Sequence, residues 1–352
     1  MILENKRVLI TGGTGSLGRV LVRRLLSGEI GHLARLIVFS RDEAKQHEMR
    51  MAYQSRRFAT DEIIYRNFKK TLEFYIGDVR DFHSIAEAMK EVDVVFNAAA
   101  LKQVPTCEYF PYEAIKTNVL GPENIVRAIS ESKLPVKTVV GISTDKACKP
   151  VNVMGMTKAI QERIFTSANL SCPHTRFICV RYGNVLASRG SVIPLFLDQI
   201  RSGGPLTITT LDMTRFLLTL DRAVDTIFEA VKEALPGQNF IPKVPSAKVV
   251  DIADILIGDH SIEKKLIGIR PGEKTHEILI SEEECHRTLE REDYYVVEPI
   301  LPEVRFGREE PVGIAKEYSS ADRVMDKRTL ETFLEALNLA DYLKAPQEEF
   351  LR

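Results

Sequence analysis

The sequence lacks the features that mark several classes of protein. Its 352 residues carry a formal net charge of −1, whereas a protein that binds nucleic acid through phosphates needs a clustered basic excess. No segment approaches the roughly 18 to 20 apolar residues of a membrane span, and no long apolar stretch follows the N-terminus as in a signal peptide. We therefore expect a soluble, cytoplasmic protein with no nucleic-acid partner and no membrane insertion.

Cysteine is also scarce and irregularly spaced. The five cysteines form no Cys-x-x-Cys pair and show no metal-like spacing with the seven histidines. Neither a disulfide framework nor a metal site is therefore predicted. Hydrophobic residues at 44% and charged residues at 28% are ordinary for a globular protein, and the length favours two domains or one domain with a large appendage.

Apolar runs and helical patterns alternate through the first half of the chain. Runs such as Arg7–Thr11, Leu36–Ser40 and Lys137–Ser143 predict strands, and the spacing of apolar residues over 17–26 predicts a helix between the first two. Continuous apolar strands between helices are typical of a parallel sheet covered on both faces. After about Tyr182, glycine and proline interrupt shorter segments. The predicted fold class is α/β: a doubly wound parallel sheet of the Rossmann type with a smaller mixed α/β domain.

A glycine-rich turn separates the first predicted strand from the first predicted helix. The glycines of Thr11–Gly18 lack Cβ atoms, so the backbone can turn tightly and approach a pyrophosphate at the helix N-terminus. Such a turn is weak evidence alone, but its place between strand and helix favours a dinucleotide site over a plain turn. The expected contacts are Gly12, Thr14, Gly15, Ser16, Leu17 and Gly18.

The end of the second strand predicts which dinucleotide binds. An NAD enzyme usually places an acidic residue there to accept from the ribose 2′-hydroxyl, whereas this chain has Ser40 and Arg41, with Lys45 one helical turn later. These cations suit the 2′-phosphate of NADP. The alternative is that Arg41 is a surface residue and Asp42 binds the ribose. Further expected cofactor contacts follow the third and fourth strands: Asp78, Val79, Ala98, Ala99 and Ala100.

These features predict the domain boundaries. Residues 1–185 are expected to form the NADP-binding domain, to which 216–238 return as a helix. Residues 186–215 and 239–310 are expected to form the substrate domain, and 311–352 a tail with one amphipathic helix around 330–339.

Several strings resemble the extended short-chain dehydrogenase/reductases. The matching strings are the glycine turn, Gly77–Val79, Asn97–Ala100, Asn118 within Thr117–Gly121, and Ser143–Ala147 at the end of the fifth strand. Where the family has Tyr-x-x-x-Lys, this chain reads Met154–Lys158, so the tyrosine is absent.

Longer strings narrow the resemblance to UDP-N-acetylglucosamine 4,6-dehydratases. They are Ala98–Pro105, Ser143–Ala147, Arg181–Pro194 and Met213–Phe216. Methionine in place of the tyrosine is similar to the capsular-polysaccharide and lipopolysaccharide branch, whose enzymes also invert C5. The resemblance extends from about residue 5 to residue 300.

This resemblance implies an NADP-dependent, redox-neutral lyase of bacterial surface-polysaccharide biosynthesis, giving UDP-2-acetamido-2,6-dideoxy-β-L-arabino-hexos-4-ulose. A C4 ketone acidifies the C5 hydrogen, so a base and an acid must flank the C5–C6 bond. The resemblance assigns the acid to Asp145 and the base to Lys146. We expect burial beside Lys158 and a cationic nicotinamide to lower the pKa of Lys146. The alternative for this Asp-Lys pair is a surface ion pair.

The resemblance also implies the remaining site residues. Lys158 would hold the nicotinamide ribose, and Asn118 and Thr144 would position substrate and water. Met154 cannot accept the C4 hydroxyl proton, which leaves Lys158 through water, Asp145, or a loss of catalysis as alternatives. The expected substrate contacts are Lys102, Asn184, Arg189, Val192, Pro194, Arg215, Arg270 and Glu273.

Two other functions remain open at the level of sequence. One is a nucleotide-sugar 4-epimerase, against which the absent tyrosine and the Asp145–Lys146 pair speak. The other is an NADP-binding regulatory protein without activity. The resemblance further implies a homo-oligomer, such as a hexamer.

Overall fold

The structure is a computed structural model, and it describes residues 1–54, 68–186, 192–305, 307–308 and 311–336. The strands of this part of the chain are β1 (Arg7–Thr11), β2 (Arg35–Ser40), β3 (Leu72–Ile76), β4 (Val94–Asn97), β5 (Thr138–Thr144), β6 (Arg176–Tyr182), β7 (Leu206–Ile208), β8 (Thr214–Phe216), β9 (Asn239–Pro242), β10 (Ser246–Lys248), β11 (Lys264–Leu266), β12 (Ile278–Ile280), β13 (Thr288–Glu290), β14 (Tyr294–Val297) and β15 (Tyr318–Ser319).

The helices of the same ranges are α1 (Ser16–Ser27), α2 (Glu43–Gln54), α3 (Phe82–Ala88), α4 (Val104–Tyr109), α5 (Pro111–Ile115), α6 (Gly121–Glu131), α7 (Val153–Ser171), α8 (Val192–Arg201), α9 (Leu220–Glu233), α10 (Val249–Ile257), α11 (Glu282–Cys285), α12 (Pro302–Arg305) and α13 (Lys327–Glu335). A π-helical turn, Lys116–Leu120, precedes α6, and a 3₁₀ turn, Asp145–Ala147, follows β5. None of these helices is long and apolar enough to cross a membrane.

The central sheet has the order β3–β2–β1–β4–β5–β6–β9–β14–β13. Its strands are parallel from β3 to β9, while β14 and β13 run antiparallel. Along β1, Val8 and Ile10 enter one apolar cluster with α1 and α9, and Leu9 enters another with α3, α6 and α7, because alternate strand residues face opposite sides. Apolar strands with helices on both faces confirm the predicted doubly wound α/β fold.

Two parts of the chain are placed differently from the expected boundaries. Residues 239–242 and 288–297, expected in the substrate domain, form β9, β13 and β14 and extend the central sheet. Strands β9 and β14 are largely buried. Pairing of β9 with β6 satisfies backbone N–H and C=O groups that burial would otherwise leave without hydrogen bonds. The helix predicted within 216–238 is observed as α9, and it packs on α1.

The second unit is smaller and encloses its own apolar cluster. It contains the pairs β8–β10 and β7–β11 together with α8, α10 and α13. The pair β12–β15 joins it to the central sheet, because Leu279, Ile280 and Tyr318 are buried in the apolar cluster of that sheet. The region expected to be a tail contributes to both: Tyr318–Ser319 pairs with β12, and Leu330 and Leu334 of α13 are buried in the cluster of the second unit. The predicted helix around 330–339 is observed as Lys327–Glu335; residues 337–352 lie outside the described ranges.

Candidate functional site

A cavity of about 740 Å³ opens at the carboxyl ends of the central strands. Connections leave β1 and β4 toward opposite faces of the sheet there, and ligands of doubly wound folds bind at this switch point. Both units contribute to its wall. The predicted site residues that line it are Gly12, Thr14, Gly15, Ser16, Leu17, Gly18, Ser40, Arg41, Lys45, Asp78, Val79, Ala98, Ala99, Ala100, Lys102, Thr144, Asp145, Lys146, Met154, Lys158, Asn184, Arg270 and Glu273.

The glycine turn has the shape that a dinucleotide pyrophosphate needs. Gly12 has a φ of +68°, and a Cβ there would lie 2.8 Å from the Ala99 backbone; a Cβ on Gly18 would lie 2.5 Å from Gly13 Cα. Helix α1 starts after Gly15 with no side chain capping its first turn. Its free N–H groups can therefore receive an anion, and the residues present fit a dinucleotide.

The cationic side chains after β2 lie at the end of this cavity. The Arg41 side chain is 56% exposed, and its Nη1 lies 3.8 Å from Asp78 Oδ2. Asp78 itself is held by Arg80 at 2.6 Å. The carboxylate of Asp42 accepts from the backbone N–H and from the Nζ of Lys45. Arg41 thus offers a guanidinium to an anion, whereas Asp42 is already engaged within its own turn.

Lys158 is buried behind a hydrogen-bonded chain that begins in β1. Thr11 Oγ1 donates to Asn97 Oδ1 at 2.8 Å, and Asn97 Nδ2 donates to Gln161 Oε1 at 3.4 Å. Lys158 Nζ donates to the same Gln161 oxygen at 2.6 Å. Burial lowers the pKa of Lys158 to about 8, because no carboxylate bonds to its ammonium to offset desolvation. Sequence reasoning did not identify Gln161, although it lies one helical turn after Lys158.

The turn after β5 buries an acid and a cation together. Asp145 is fully buried; its Oδ1 accepts from Thr144 Oγ1 at 2.7 Å and from Lys146 Nζ at 3.1 Å, while Oδ2 has no partner. Lys146 Nζ also lies 3.0 Å from Oε1 of Glu277, a buried residue of the second unit. Sequence reasoning did not identify Glu277. The feature that could have indicated it is its position, as a charged residue directly before the apolar run of β12.

The expected lowering of the Lys146 pKa is wrong for this structure. Burial does lower it, but the carboxylates of Asp145 and Glu277 together raise the pKa above the usual value for lysine. Burial raises the pKa of Asp145, and the charge of Glu277 adds to this. The pair is also not a surface ion pair, since Lys146 is only 20% exposed and Asp145 is enclosed.

Helix α7 brings Met154 to the same wall. Met154 packs in a small apolar cluster with Cys107 and Ala114, so this wall presents a thioether where the resemblance implied a phenol. A Cβ on Gly155 would lie 2.1 Å from the Lys146 carbonyl oxygen, which means that only glycine allows α7 to approach this turn so closely. Asn152 caps α7 and donates to the Gly272 carbonyl at 2.7 Å, tying the second unit to the site.

Four predicted residues do not line the cavity. Asn118 is buried in the π-helical turn, where its amide bonds to the Leu101 backbone and to Thr157. Arg215 donates to the carbonyls of Thr214 and Thr275 and lies 3.8 Å from Glu277. The other two are Val192 and Pro194 on α8, and Arg189 lies outside the described residues.

Within the described residues, no group of three or more His, Cys, Asp or Glu side chains could hold a metal ion. All five cysteines are unpaired.

Comparisons with known proteins agree with this fold. A family model described as "Polysaccharide biosynthesis protein" matches residues 8–299. A protein named UDP-glucose 4-epimerase from Rickettsia conorii (strain ATCC VR-613 / Malish 7) is 42% identical over 350 residues, which cover 97% of each chain. One of the same name from Rickettsia canadensis (strain McKiel) is 44% identical over 296 residues, covering 83% of this chain and 82% of that protein.

Solved structures show the same architecture. Pen from Bacillus thuringiensis superposes with a TM-score of 0.83 at 35% identity, covering 96% of this chain and all of that one. DesIV from Streptomyces venezuelae, a dTDP-glucose 4,6-dehydratase with NAD and TYD bound, superposes with a TM-score of 0.63 at 19% identity over 76% of this chain and 86% of its own, a likeness of fold alone. The family match and the relatives that align almost end to end show that this chain belongs to the polysaccharide biosynthesis protein family.

Proposed function

We propose that the protein is a UDP-N-acetylglucosamine 4,6-dehydratase that inverts C5 and uses NADP. The observation that supports this most directly is the buried Asp145–Lys146 pair in the wall of a cavity suited to a dinucleotide. Elimination of water across C5 and C6 needs an acid and a base side by side, away from solvent. A plain dehydrogenase or epimerase has no use for that second proton donor.

The 3.1 Å contact between Lys146 Nζ and Asp145 Oδ1 can supply both groups in one event. Transfer of a single proton from Nζ to the carboxylate leaves a neutral amine and a carboxylic acid. The raised pKa of Asp145 favours this transfer, and the raised pKa of Lys146 opposes it. Lys146 then accepts the C5 proton of a 4-keto sugar as that C–H bond breaks. The C6–O bond breaks, Asp145 protonates the departing hydroxide to give water, and a C5–C6 double bond forms. Thr144 orients Asp145 through its hydroxyl.

The cofactor fits the turn after β1, with Arg41 and Lys45 at the end that would receive a 2′-phosphate. A nicotinamide bound there supplies a reversible two-electron acceptor, so that C4 is oxidised and C6 reduced within one cycle. Lys158 is then the group that holds the nicotinamide ribose. The proposed contacts to the nucleotide-sugar are Lys102, Asn184, Arg270 and Glu273; Asn184 offers a buried Oδ1 without a partner.

We also propose that the reaction inverts the configuration at C5. If Lys146 removes the C5 proton from one face and water returns one from the other, the product belongs to the L series. In deuterated water, deuterium should then appear at C5, while the hydrogen delivered to C6 comes from C4 of the same sugar. If NMR coupling constants show a D-configured product under conditions without later epimerisation, C5 inversion is refuted, while dehydration remains supported.

A 4-epimerase is the second candidate, because relatives at about 40% identity are named UDP-glucose 4-epimerase. The buried Asp145–Lys146 pair speaks against it, since exchange at C4 alone needs no proton donor for a leaving C6 hydroxyl. Incubation of the NADP-loaded protein with UDP-N-acetylglucosamine, followed by NMR of the products, separates the functions. A 6-deoxy-4-keto sugar without accumulation of reduced nicotinamide supports the proposal. A C4 epimer supports the second candidate, and unchanged substrate supports a non-catalytic NADP-binding protein.

We also propose that the protein forms a homo-oligomer and acts in the cytoplasm. Exposed apolar side chains occur on α4, α5 and α7, among them Tyr109, Tyr112, Met156 and Ile160, and these helices pack against one another. Such a surface suits a second copy of the chain, so we expect a solution mass that is a multiple of 39.7 kDa by light scattering. Five unpaired cysteines suit the reducing cytoplasm.

A further inference from the structure

Glu277 is a buried carboxylate to which neither the motifs nor the proposed chemistry gives a task. It directly precedes β12 in the second unit and is only 2% exposed. Its Oε1 lies 3.0 Å from Lys146 Nζ, and its Oε2 is buried without a hydrogen-bond partner. A buried carboxylate costs free energy unless it is paired with a cation, so its pairing with a residue of the proposed acid–base pair calls for an explanation.

The backbone around Glu277 fixes this carboxylate in place. Ser320 Oγ accepts from the Glu277 N–H at 2.9 Å, and the Glu277 carbonyl accepts from the Ser320 N–H at 2.8 Å. Ser320 Oγ also lies 2.7 Å from Thr214 Oγ1 of β8. Segments from three distant parts of the chain therefore meet at this point. Lys146 comes from the first unit, so the ion pair joins the two units at the cavity wall.

Charged groups from three segments of the described residues face Lys146. Asp145 comes from its own turn, Glu277 and Lys274 from the segment before β12, and Arg215 from β8. Two of them are carboxylates at 3.0 and 3.1 Å from Nζ, whereas the Arg215 Nε lies 3.8 Å from the same Oε1 of Glu277. When Asp145 takes a proton for its acid role, Glu277 is the carboxylate that remains at Nζ.

We propose that Glu277 is a positioning residue that anchors the Lys146 side chain against Asp145 and sets the pH at which the Asp145–Lys146 pair loses its one shared proton. The inference rests on the proposed function, in which that pair must hold one proton to act. Glu277 touches neither substrate nor cofactor in this scheme. It keeps Nζ within reach of Oδ1, and its charge retains the proton on the pair at alkaline pH.

The test replaces Glu277 by the isosteric Gln and measures the ionisation of Lys146 directly. In holoenzyme labelled with [ε-¹³C]lysine, the Lys146 resonance is assigned by its absence from Lys146→Arg and followed against pH. We expect Glu277→Gln to lower its midpoint by about 1 to 3 units, the range for loss of one close opposite charge. Glu277→Asp keeps the charge and should restore a midpoint nearer that of the unmodified protein. Glu282→Gln, at an exposed carboxylate paired with Lys149 instead, should leave the midpoint unchanged.

A second variant tests the direction of the effect. The Arg215 charge opposes that of Glu277 at Lys146, so Arg215→Gln should not lower the midpoint. If both substitutions acted only by perturbing the fold, they would not shift the Lys146 midpoint differently. In a turnover assay, the alkaline limb of the kcat/KM profile should move to lower pH in Glu277→Gln by the same amount as the resonance.

These readouts separate the inference from the proposed function. If the unmodified protein forms no dehydrated product, the function fails, while a lowered Lys146 midpoint in Glu277→Gln still supports Glu277. If that midpoint is the same in Glu277→Gln and in the unmodified protein, or if Arg215→Gln lowers it equally, the role of Glu277 is overturned whatever the product.

Discussion

The pH dependence of turnover tests whether Lys158 removes the C4 hydroxyl proton in a site that has Met154 where the resemblance implied a tyrosine. Its Nζ is buried, donates to the neutral Gln161 at 2.6 Å, and has a pKa lowered by burial to about 8. Met154 at the neighbouring position has no group that accepts a proton. We predict that neutral Lys158 accepts the C4 hydroxyl proton, either directly or through one water.

The sign and size of the pH effect follow from this pKa. A lysine with a pKa of about 8 is a cation below that pH and a neutral base above it. The neutral fraction is about 1% at pH 6, about 9% at pH 7 and about 50% at pH 8. With UDP-N-acetylglucosamine as substrate, kcat/KM should therefore rise about tenfold from pH 6 to pH 7 and level off above pH 8.

Two variants make the prediction specific to Lys158. Lys158→Arg keeps the charge but cannot become neutral, so turnover should fall by about 10²- to 10⁴-fold. Gln161→Glu places a carboxylate on Nζ and should move the limb to higher pH by about 1 to 3 units. Lys90→Arg, at an exposed surface lysine, is the control. A flat profile between about pH 6 and pH 8 in the unmodified protein, or a limb unmoved by Gln161→Glu, would refute the reasoning.

Three further predictions concern the cofactor, the acid and the fold. Arg41→Ala should weaken NADP binding by about 5- to 150-fold, toward the lower end for a half-exposed guanidinium, without affecting NAD; calorimetry giving equal affinities for both cofactors in the unmodified protein contradicts this. Asp145→Asn should abolish formation of the 6-deoxy product while cofactor affinity is retained, and a deoxygenated product from this variant would rule out the assigned acid. Burial alone would raise the pKa of Glu284, but Arg181 lowers it to about 2, so its stabilising contribution is complete above about pH 4.5 and is lost as the pH falls toward 2. Glu284→Gln should cost about 3 to 5 kcal/mol in chemical unfolding at neutral pH, against no change for the exposed Glu292→Gln.

The parts of the fold that depend on neighbouring residues could be predicted from the sequence. The glycine turn, its strand and its helix are adjacent in the chain, so spacing alone indicates the fold of Thr11–Gly18 and the position of the cavity. The alternation of apolar runs and helices likewise predicts the parallel strands β1 to β6. The same patterns do not indicate which sheet a short strand joins, and for that reason β9, β14 and β13 were expected in the other domain.

The electrostatics of the site could not be predicted, because they depend on contacts between distant residues. Lys146 and Glu277 are 131 positions apart, and the sequence around Glu277 gives no sign of a partner. Burial alone would lower the pKa of Lys146, which is what the sequence led us to expect, but the carboxylates of Asp145 and Glu277 together raise it. Ser320 was assigned to a tail, yet it fixes the backbone of Glu277. Pairings of this kind depend on the packing of the second unit against the first.

The two lysines of the cavity show how one site can move the pKa values of two buried amines in opposite directions. Both are buried, and burial alone would lower the pKa of each. Lys158 bonds to a neutral amide and its pKa is lowered, whereas Lys146 lies between two carboxylates and its pKa is raised. Groups whose surroundings move their pKa values apart can take different roles at the same pH. Replacement of the expected tyrosine by Met154 therefore need not remove proton transfer at C4, because the amide of Gln161 leaves Lys158 free to lose its proton near neutrality. The Asp145–Lys146 pair keeps the one shared proton that the elimination at C5 and C6 requires.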